Sequence, residues 1–225
     1  MISDLLPGAG AGTRPARDVP DATVARLPLY HEALGRLFDG RVEVVSSTAL
    51  AEAAGVSPAQ LRKDLSCLGT YGTRGVGYDV ARLHRQIATR IGAASEWPVV
   101  IVGVGHLGTA LANFAGFAAR GFRVVALVDR APALVGTTVT GLVVSDLTDL
   151  EKVVRDTGAV IAVIATPADA AQAVADRLVY QGVTSILNFA STALAVPEGV
   201  NVRKVDLGQE LAILAFHEQR KVEEI

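Results

Sequence analysis

The spacing of apolar residues predicts helices in the first part of the chain. From Val24 onward, apolar positions recur at helical intervals, and the pattern stops near Asp39 and Gly40. The positions that share this face are Leu27, Leu34, Leu37 and Phe38. The spacing therefore predicts a first core helix.

Two short helices are predicted on either side of the segment AGVS, residues 54–57. Ser46 or Ser47 can cap the first helix, and Gly55 suits the tight turn that ends it. Pro58 fits the first turn of the second helix, where a missing N–H costs nothing. This is the spacing of a helix-turn-helix unit, although a plain helical hairpin shares it.

The second of these helices exposes polar side chains once its leucines turn inward. Leu61, Leu65 and Leu68 form the inward stripe. The residues left outside suit base edges and phosphates in a major groove: Gln60, Arg62, Lys63 and Ser66.

The segment GTYGTRGVGYD, residues 69–79, predicts a turn-rich hairpin. Its strand-forming residues are Tyr71, Val76 and Tyr78. Three helices followed by such a hairpin make a winged helix. Glycines at positions 72, 75 and 77 allow a close approach of the backbone to another surface, and Arg74 at the tip suits a narrow minor groove. The alternative is a flexible loop that carries a stray arginine.

The second half opens with WPVVIVGVGHLGTALANFAGF, residues 97–117. Its pattern predicts a buried strand over residues 99–102, a glycine-rich loop, and a helix through about Ala119. A GxGxxG loop between a strand and a helix is the dinucleotide-binding fingerprint. Gly103 permits the tight turn, Gly105 lets a pyrophosphate approach the backbone, and Gly108 allows the helix to pack closely on the strand.

A second strand, FRVVALVD, ends in Asp129, 21 residues after Gly108. This is the position of the acid that binds the adenosine ribose hydroxyls. A carboxylate there repels a 2′-phosphate, so the sequence favours NAD(H) over NADP(H). Arg130 weakens that preference slightly.

Further strands are predicted at residues 159–166, 183–190 and 200–206, with a helix near 168–180. This alternation predicts a parallel, doubly wound sheet. Because ligands bind at the carboxyl ends of such strands, the residues there are candidates for contact with the nicotinamide half of a dinucleotide. They are Thr166, Pro167, Asn188, Phe189 and Ala190. The alternative is that they only end the strands.

The last helix, GQELAILAFHEQRK, carries an apolar face that no further domain follows to cover. A partner subunit could bury this face. Packing on its own sheet is equally possible.

Length, composition and charge refine this picture. A chain of 225 residues, half apolar and one fifth charged, suits two moderate globular domains. Residues 1–90 hold 11 basic and 9 acidic side chains, and the other residues hold 10 and 14. Between residues 60 and 90, six basic side chains stand against Asp64 and Asp79. Such a patch suggests a polyanionic partner, although a solvated charged face explains the charge equally well.

Several classes of site and location are not expected. The single cysteine, Cys67, cannot form an internal disulfide, lacks metal-ligand spacing, and is interpreted as a small packing residue. No structural metal is expected. Neither a signal peptide nor a membrane span is evident, which predicts a cytoplasmic protein.

An enzyme is the main alternative class. Hydride transfer needs a substrate pocket with a positioned acid or base. No such group is evident among the four histidines, and no Tyr-x-x-x-Lys or paired-carboxylate motif appears. No catalytic residue is therefore predicted, and ligand sensing is favoured. An NAD-dependent oxidoreductase with an accessory helical domain and a DNA-binding regulator of another nucleotide, such as a CoA derivative, stay open.

Residues 24–217 resemble the Rex redox-sensing transcriptional repressors of bacteria. The resemblance rests on four motifs in order: PAQLRKDLS, YGTRGVGYDV, GVGHLGTALANF and ILNFA. It implies a homodimer whose winged helices bind an inverted-repeat operator, with NADH or NAD⁺ bound as a sensed ligand in each Rossmann domain. It also implies that the C-terminal helix is exchanged between subunits.

The resemblance divides the chain into a disordered tail (1–20), a winged-helix DNA-binding domain (21–90), a Rossmann domain (91–207) and a dimerisation helix (208–225). The DNA-binding residues it implies are Ser47, Ser57, Gln60, Arg62, Lys63, Ser66, Arg74, Gly75, Gly77 and Tyr78. The nucleotide-binding residues are Gly103, Val104, Gly105, His106, Leu107, Gly108, Asp129, Arg130, Thr166, Pro167, Asn188, Phe189 and Ala190.

This sequence departs from the pattern of some family members at two positions. Where those members have an Arg on the first helix and a Tyr after the glycine-loop helix, this chain has Glu32 and Phe114, while Asp206 is retained. A switch built from that Arg, Tyr and Asp cannot operate identically here.

Overall fold

The structure, a computed structural model, describes residues 19–69, 72 and 76–223. It divides into two compact units that join between Ala94 and Ser95. The boundary expected from the sequence, between residues 90 and 91, falls at the end of the helix that precedes this junction.

The first unit is mainly helical. Its helices are α1 (Asp21–Val24), α2 (Leu27–Asp39), α3 (Ser47–Ala53), α4 (Pro58–Leu68) and α5 (Val80–Arg90). Its strands are β1 (Val44–Val45) and β2 (Tyr78–Asp79), which pair antiparallel. The three predicted helices are confirmed as α2, α3 and α4, whereas α1 and α5 were not predicted. Ser46 rather than Ser47 caps α3 through its hydroxyl.

The core of this unit is formed by the inward faces of α2 to α5. Tyr30, Leu34, Leu50 and Leu61 are fully buried there. Phe38 is different, since its side chain is half exposed at the end of α2. The prediction that Phe38 belongs to the core face was wrong, because it lies in the last turn, where the helix leaves the core.

The predicted hairpin is only partly visible, because residues 70, 71 and 73–75 lie outside the described part of the chain. The described strand β2 pairs with β1, which the sequence did not indicate. Gly77 has φ +111°, and a Cβ there would lie 2.4 Å from the carbonyl oxygen of Val45. The glycine is thus required by the neighbouring strand of its own unit.

The second unit is a seven-stranded sheet with helices. Its strands are β3 (Trp97–Val102), β4 (Phe122–Asp129), β5 (Thr138–Val139), β6 (Leu142–Asp146), β7 (Ile161–Ile164), β8 (Ser185–Asn188) and β9 (Asn201–Lys204). Its helices are α6 (His106–Ala112), α7 (Ala115–Ala118), α8 (Leu150–Thr157), α9 (Ala168–Tyr180) and α10 (Leu207–Glu223), with a 3₁₀ turn at Leu147–Asp149.

The strand order is β5-β6-β4-β3-β7-β8-β9, and every pair except β5 with β6 is parallel. The chain starts in the middle at β3, builds outward to β6, and then crosses to β7 on the other side. The order thus reverses beside β3, and a crevice opens at such a switch point. Two separate groups of buried apolar residues pack against the sheet.

Two details of the predicted Rossmann unit were wrong. The helix expected to continue to about Ala119 ends at Ala112, and a break at Asn113 and Phe114 separates it from α7. The sequence reading also omitted β5, β6 and α8. These elements are short, and β5 pairs only with β6 at the edge of the sheet.

The apolar face of α10 does not pack on the sheet of its own chain. Leu207, Leu211, Leu214 and Phe216 are each about 60% exposed. Of the two possibilities left open by the sequence, this observation favours a second subunit as the cover of that face.

A histidine pair in the first unit predicts acid sensitivity. His31 on α2 stacks on His84 of α5 with ring centroids 4.2 Å apart. Burial lowers the pKa of His31, and the charge of His84 lowers it further. The unfolded chain therefore binds a proton more readily. The pair's contribution to stability is complete above the ordinary histidine pKa of about 6.5 and is lost as the pH falls from there toward the lowered pKa.

We expect hydrogen exchange in α2 and α5 of the full chain to accelerate between about pH 7.5 and about pH 5.5, after correction for the intrinsic rate. The variant His31→Phe keeps an aromatic ring against His84 but removes the buried titratable group, so it should lose most of this acceleration. His217→Gln, on the exposed helix α10, should retain it. Equal acceleration in wild type and His31→Phe would contradict the assignment.

Candidate nucleotide-binding and DNA-binding sites

The glycine-rich loop after β3 is shaped by two close contacts and one open position. A Cβ on Gly108 would lie 1.8 Å from the carbonyl oxygen of Gly103. A Cβ on Gly103, which has φ +97°, would lie 2.6 Å from the carbonyl oxygen of Ala165. Gly105 has no atom within 4 Å of its Cβ position and caps α6. Only Gly105 therefore leaves its space free for a ligand.

Asp129, the last residue of β4, is tied to this loop. Its carboxylate accepts a hydrogen bond from the backbone N–H of Val104 at 2.6 Å and another from Ala131 at 2.8 Å, one on each oxygen. Each oxygen keeps a further lone pair for a ribose hydroxyl. The N–H of Val104 is committed to Asp129, so Val104 stabilises the loop instead of facing a ligand.

A cavity of about 460 Å³ lies at the carboxyl ends of the central strands. It contacts nine of the predicted nucleotide-binding residues: Gly103, Gly105, Leu107, Asp129, Arg130, Thr166, Pro167, Phe189 and Ala190. The hydroxyl oxygen of Thr166 is buried there without a partner in the described chain. An open backbone at Gly105, an anchored carboxylate and an unpaired hydroxyl together fit a dinucleotide.

Four predicted residues do not line this cavity: Val104, His106, Gly108 and Asn188. Asn188 is fully buried, and its amide bonds to the carbonyl of Thr192 at 2.8 Å and to the N–H of Ala190 at 2.9 Å. The expected ligand contact by the Asn188 side chain is therefore corrected. Its amide holds the loop that carries Phe189 and Ala190.

The apolar wall beyond Asp129 was missed by the sequence reading. It contains Ala131, Leu134 and Leu147. Leu147 directly follows β6, so recognition of that strand would have placed it at the ligand end of the sheet. Leu134 lies in a loop and has no comparable sequence signal.

In the first unit, α3 and α4 form the helix-turn-helix. The hydroxyl of Ser57 accepts the N–H of Gln60 at 3.1 Å and so caps α4. Arg62 extends across to α3, where its guanidinium donates to the hydroxyl of Ser47 at 3.2 Å. Lys63 is exposed on the same helix. The structure thus brings Ser47 and Arg62 together and leaves the cation of Lys63 in solvent.

The remaining predicted DNA residues differ in their surroundings. Ser66 is exposed, and its hydroxyl donates to the carbonyl of Lys63. Tyr78 is only 8% exposed and packs in the core, so its predicted contact with DNA is corrected to a supporting role beneath the strand pair. Burial raises the pKa of Tyr78, and the nearby charge of Arg62 partly offsets this. Arg74 and Gly75 lie outside the described residues.

Two residues of α4 were misjudged or overlooked. Cys67 is exposed, and its thiol donates to the carbonyl of Lys63, so the interpretation as a packing residue was wrong. Asp64 is 1% exposed and had been counted only as a charge. Its position between Leu61 and Leu65 on the apolar stripe is the signal that could have revealed it.

Two further classes of structure are not seen. No three metal-ligating side chains come together within residues 19–69 and 76–223. No helix in the described chain is long and apolar enough to span a membrane.

Two family models match parts of the chain. Residues 18–66 match the family "Putative DNA-binding protein N-terminus", and residues 94–192 match the family "CoA binding domain". The redox-sensing transcriptional repressor Rex of Streptomyces coelicolor is 62% identical over 218 residues, which cover 96% of this chain and 84% of that protein.

This chain belongs to the Rex family. The Rex of Roseiflexus sp. is also similar, with 45% identity over 83% of this chain and 85% of that protein. These relatives are named repressors rather than enzymes. The recognition of the family and the prediction of a non-enzyme are thereby confirmed.

Solved Rex structures extend the agreement to three dimensions. The structure of RSP, a Rex-family repressor, with β-NAD⁺ and operator DNA has a TM-score of 0.86 at 32% identity and covers 92% of this chain and 97% of that one. RSP with β-NADH has a TM-score of 0.82 at 31% identity over 92% of this chain and 99% of that one. The predicted winged-helix and Rossmann fold class is confirmed.

Glu32, Phe114 and Asp206 each have a partner close in sequence. Glu32 pairs with Arg36 one turn away at 2.7 Å. Phe114 packs edge-on against Phe117 and is half exposed. Asp206 pairs with Lys204 at 3.0 Å. The acidic groups at positions 32 and 206 are thus each paired near their own place in the sequence.

Two of the loop glycines, Gly108 and Gly105, should respond differently to substitution by alanine. Gly108→Ala forces a Cβ into a backbone carbonyl and should destabilise the Rossmann unit by about 1–3 kcal/mol or more. Gly105→Ala meets no atom, so its unfolding midpoint should stay at the wild-type value, while binding of NADH as a probe should be lost. Urea unfolding followed by the single tryptophan, Trp97, and NADH titration test this. Wild-type NADH affinity in Gly105→Ala would contradict it.

Proposed function

We propose that this Rex protein is a transcriptional repressor that binds an inverted-repeat operator as a homodimer and releases it when NADH occupies the Rossmann unit. The observation that carries the proposal is the coexistence, in one chain, of the dinucleotide loop tied to Asp129 and a helix-turn-helix with exposed cations. NADH and NAD⁺ are sensed and not consumed. The expected place of action is the cytoplasm, with no membrane partner.

Dimer formation is supported by α10. Its exposed leucines and Phe216 form an apolar face that a second copy of the helix-bearing unit can cover. A two-fold dimer also matches an inverted repeat, because each half-site then meets an equivalent winged helix.

The cavity supports a preference for the reduced nucleotide. If Asp129 binds the adenosine ribose, the nicotinamide reaches the carboxyl ends of β7 and β8, where the lining includes Thr166, Pro167, Phe189 and Ala190. None of these side chains carries a charge. Since an unpaired cation in such surroundings is poorly solvated, the neutral ring of NADH is favoured over the cationic ring of NAD⁺.

The sensing step is a population shift. Operator half-sites are fixed in spacing, so a dimer arrangement that misaligns one winged helix binds the operator weakly. If NADH binds more tightly to this arrangement, NADH weakens DNA binding by a coupling free energy of about 1–3 kcal/mol. DNA then weakens NADH binding by the same free energy.

Electrophoretic mobility shift with palindromic operator DNA tests the function. Titration with micromolar NADH should release the DNA, whereas NAD⁺ should not. NADPH should release the DNA less effectively than NADH, because Asp129 repels its 2′-phosphate.

Acetyl-CoA is included in the titrations because of the "CoA binding domain" match. Gly105→Ala serves as the control that binds operator without responding. An operator complex that persists in NADH would overturn the proposal. Release by acetyl-CoA alone would show that the sensed ligand is a CoA derivative instead of NADH.

Turnover assays distinguish the repressor from the alternative of an NAD-dependent oxidoreductase. That alternative predicts NADH oxidation with a substrate and no operator affinity. Operator binding with no NADH consumption supports the repressor.

The exposed cations of α4 should have separable effects. Arg62→Ala should relax preference at one base pair per half-site, with a loss of about 1–3 kcal/mol for the preferred sequence. Lys63→Ala should weaken all operators alike and reduce the salt slope by about 1. Lys152→Ala, on α8 of the Rossmann unit, is the matched control. Titrations at several salt concentrations on operator variants distinguish these results. Loss of base preference in Lys63→Ala would show that Lys63 reads a base and does not only contact a phosphate.

A further inference from the structure

A buried carboxylate on α4 joins this helix to α1 and to the start of α2. Asp64 is 1% exposed and accepts five hydrogen bonds. The donors are the hydroxyl of Thr23 (3.0 Å), Nε and Nη2 of Arg26 (2.6 and 2.8 Å), the hydroxyl of Tyr30 (2.6 Å) and Nε2 of Gln60 (2.9 Å). Thr23 belongs to α1, Arg26 is the N-cap residue of α2, Tyr30 lies in the first turn of α2, and Gln60 belongs to α4 itself. A single side chain therefore connects α4 to both of these helices by hydrogen bonds.

The ionised state of Asp64 determines which atom of Gln60 can face it. Hydrogen bonds from Arg26, and then from Tyr30, hold the pKa of Asp64 far below its usual range. An ionised carboxylate only accepts hydrogen bonds. The amide nitrogen of Gln60 must therefore point inward, and its oxygen Oε1 must point away from Asp64.

The outward oxygen of Gln60 is free to meet a ligand. No hydrogen bond to Oε1 occurs within the described chain, and this oxygen is not among the buried polar atoms that lack a partner. Gln60 lies in the first turn of α4, the second helix of the helix-turn-helix. In such units the first residues of the second helix contact base edges in the major groove.

We propose that Asp64 is a positioning residue for base reading, which holds the Gln60 amide with Oε1 toward the groove. An oxygen acceptor there selects a base with an exocyclic amino group, the N6 of adenine or the N4 of cytosine. Guanine and thymine present acceptors at the corresponding edge and are disfavoured. This inference rests on the proposed operator binding.

The arrangement separates base reading from simple bracing of the helix. Gln60 and Thr23 donate to Oδ1 of Asp64, whereas Tyr30 and the Nε of Arg26 donate to Oδ2. Tyr30→Phe therefore removes a brace on one oxygen and leaves the Gln60 contact in place. It is the matched control for substitutions at the other oxygen.

The test measures the affinity of the full-length dimer for a set of operators in which each base pair of the half-site is changed in turn, identically in both half-sites. In the wild type, one position should prefer adenine or cytosine on one strand, and this preference should be lost when that base is replaced by an analogue that lacks the exocyclic amino group. Gln60→Ala should lose that preference, by about 5- to 150-fold, and keep the others. Asp64→Asn should lose the same preference, because an amide at position 64 also offers a donor and lets Gln60 flip. The double variant should lose no more than either single variant, and Tyr30→Phe should retain the preference.

Asp64→Asn leaves the charge of Arg26 unpaired and could unfold the protein for that reason. A second variant keeps the test valid in that case. Gln60→Glu keeps acceptor oxygens at position 60 but repels Asp64. It should lose the preference although an acceptor is present, and thermal unfolding checks that each variant is folded. A wild-type preference in Gln60→Glu would show that anchoring by Asp64 is not needed.

Other results would also overturn the inference. A preference at the Gln60 position that persists when the exocyclic amino group of the preferred base is removed contradicts the outward oxygen. A uniform loss across all operators in Asp64→Asn, with the preference intact, assigns Asp64 a purely structural role. Additive losses in the double variant would show that Gln60 and Asp64 act independently. If the wild type binds no operator at all, the proposed function fails instead, and this result is distinguishable from the others.

Discussion

The contact between the carbonyl of Gly103 and the backbone of Gly108 governs the ligand end of the Rossmann unit. The space at Gly108 is too small for a methyl group, so α6 is seated directly on the end of β3. Gly105 and Leu107, at the start of α6, line the cavity, and a helix N-terminus favours a negatively charged group. Asp129 then ties the end of β4 to the same loop through the N–H of Val104. Two neighbouring strands are thereby fixed around one crevice.

The DNA-binding unit uses a different kind of constraint, a buried charge. Burial of Asp64 is unfavourable unless its carboxylate is paired and fully hydrogen-bonded, and Arg26, Tyr30, Thr23 and Gln60 provide this. An apolar side chain could pack at this position on α4, but it would not define the rotation of the helix or the orientation of Gln60. The geometric specificity of the hydrogen bonds is thus the property that distinguishes Asp64 from the leucines beside it.

Glu32 and the retained Asp206 each form an ion pair with a cation close in sequence, Arg36 and Lys204 respectively. The ion pair between Glu32 and Arg36 is largely exposed, so it adds little to the stability of the fold. Both side chains can therefore form ion pairs with other groups instead. The apolar face of α10 also lacks a cover in a single chain. A second subunit is therefore the cover that we propose for this face.

Much of the fold was predictable because local chemistry and apolar periodicity agree. Pro58 begins α4, and the GxGxxG loop follows a buried strand. Asp129 lies at a fixed distance along the chain from Gly108, and this spacing was enough to place it at the nucleotide loop. Such features depend on residues near one another in sequence, so they can be recognised without knowledge of the tertiary structure.

Other features required the folded chain because they depend on contacts between distant residues. The pairing of β2 with β1 could not be seen in two strands of two residues each, and Tyr78 changed from a surface candidate to a core residue as a result. Asn188 could be placed at a strand end, but only the loop after β8 decided that its amide bonds internally. The sequence by itself determined the order of the two units, their fold classes and the nucleotide loop, since these follow from periodicity and spacing. The tertiary structure alone decided which polar groups remain free for a ligand, because hydrogen bonds to distant partners such as Asp64 occupy the others.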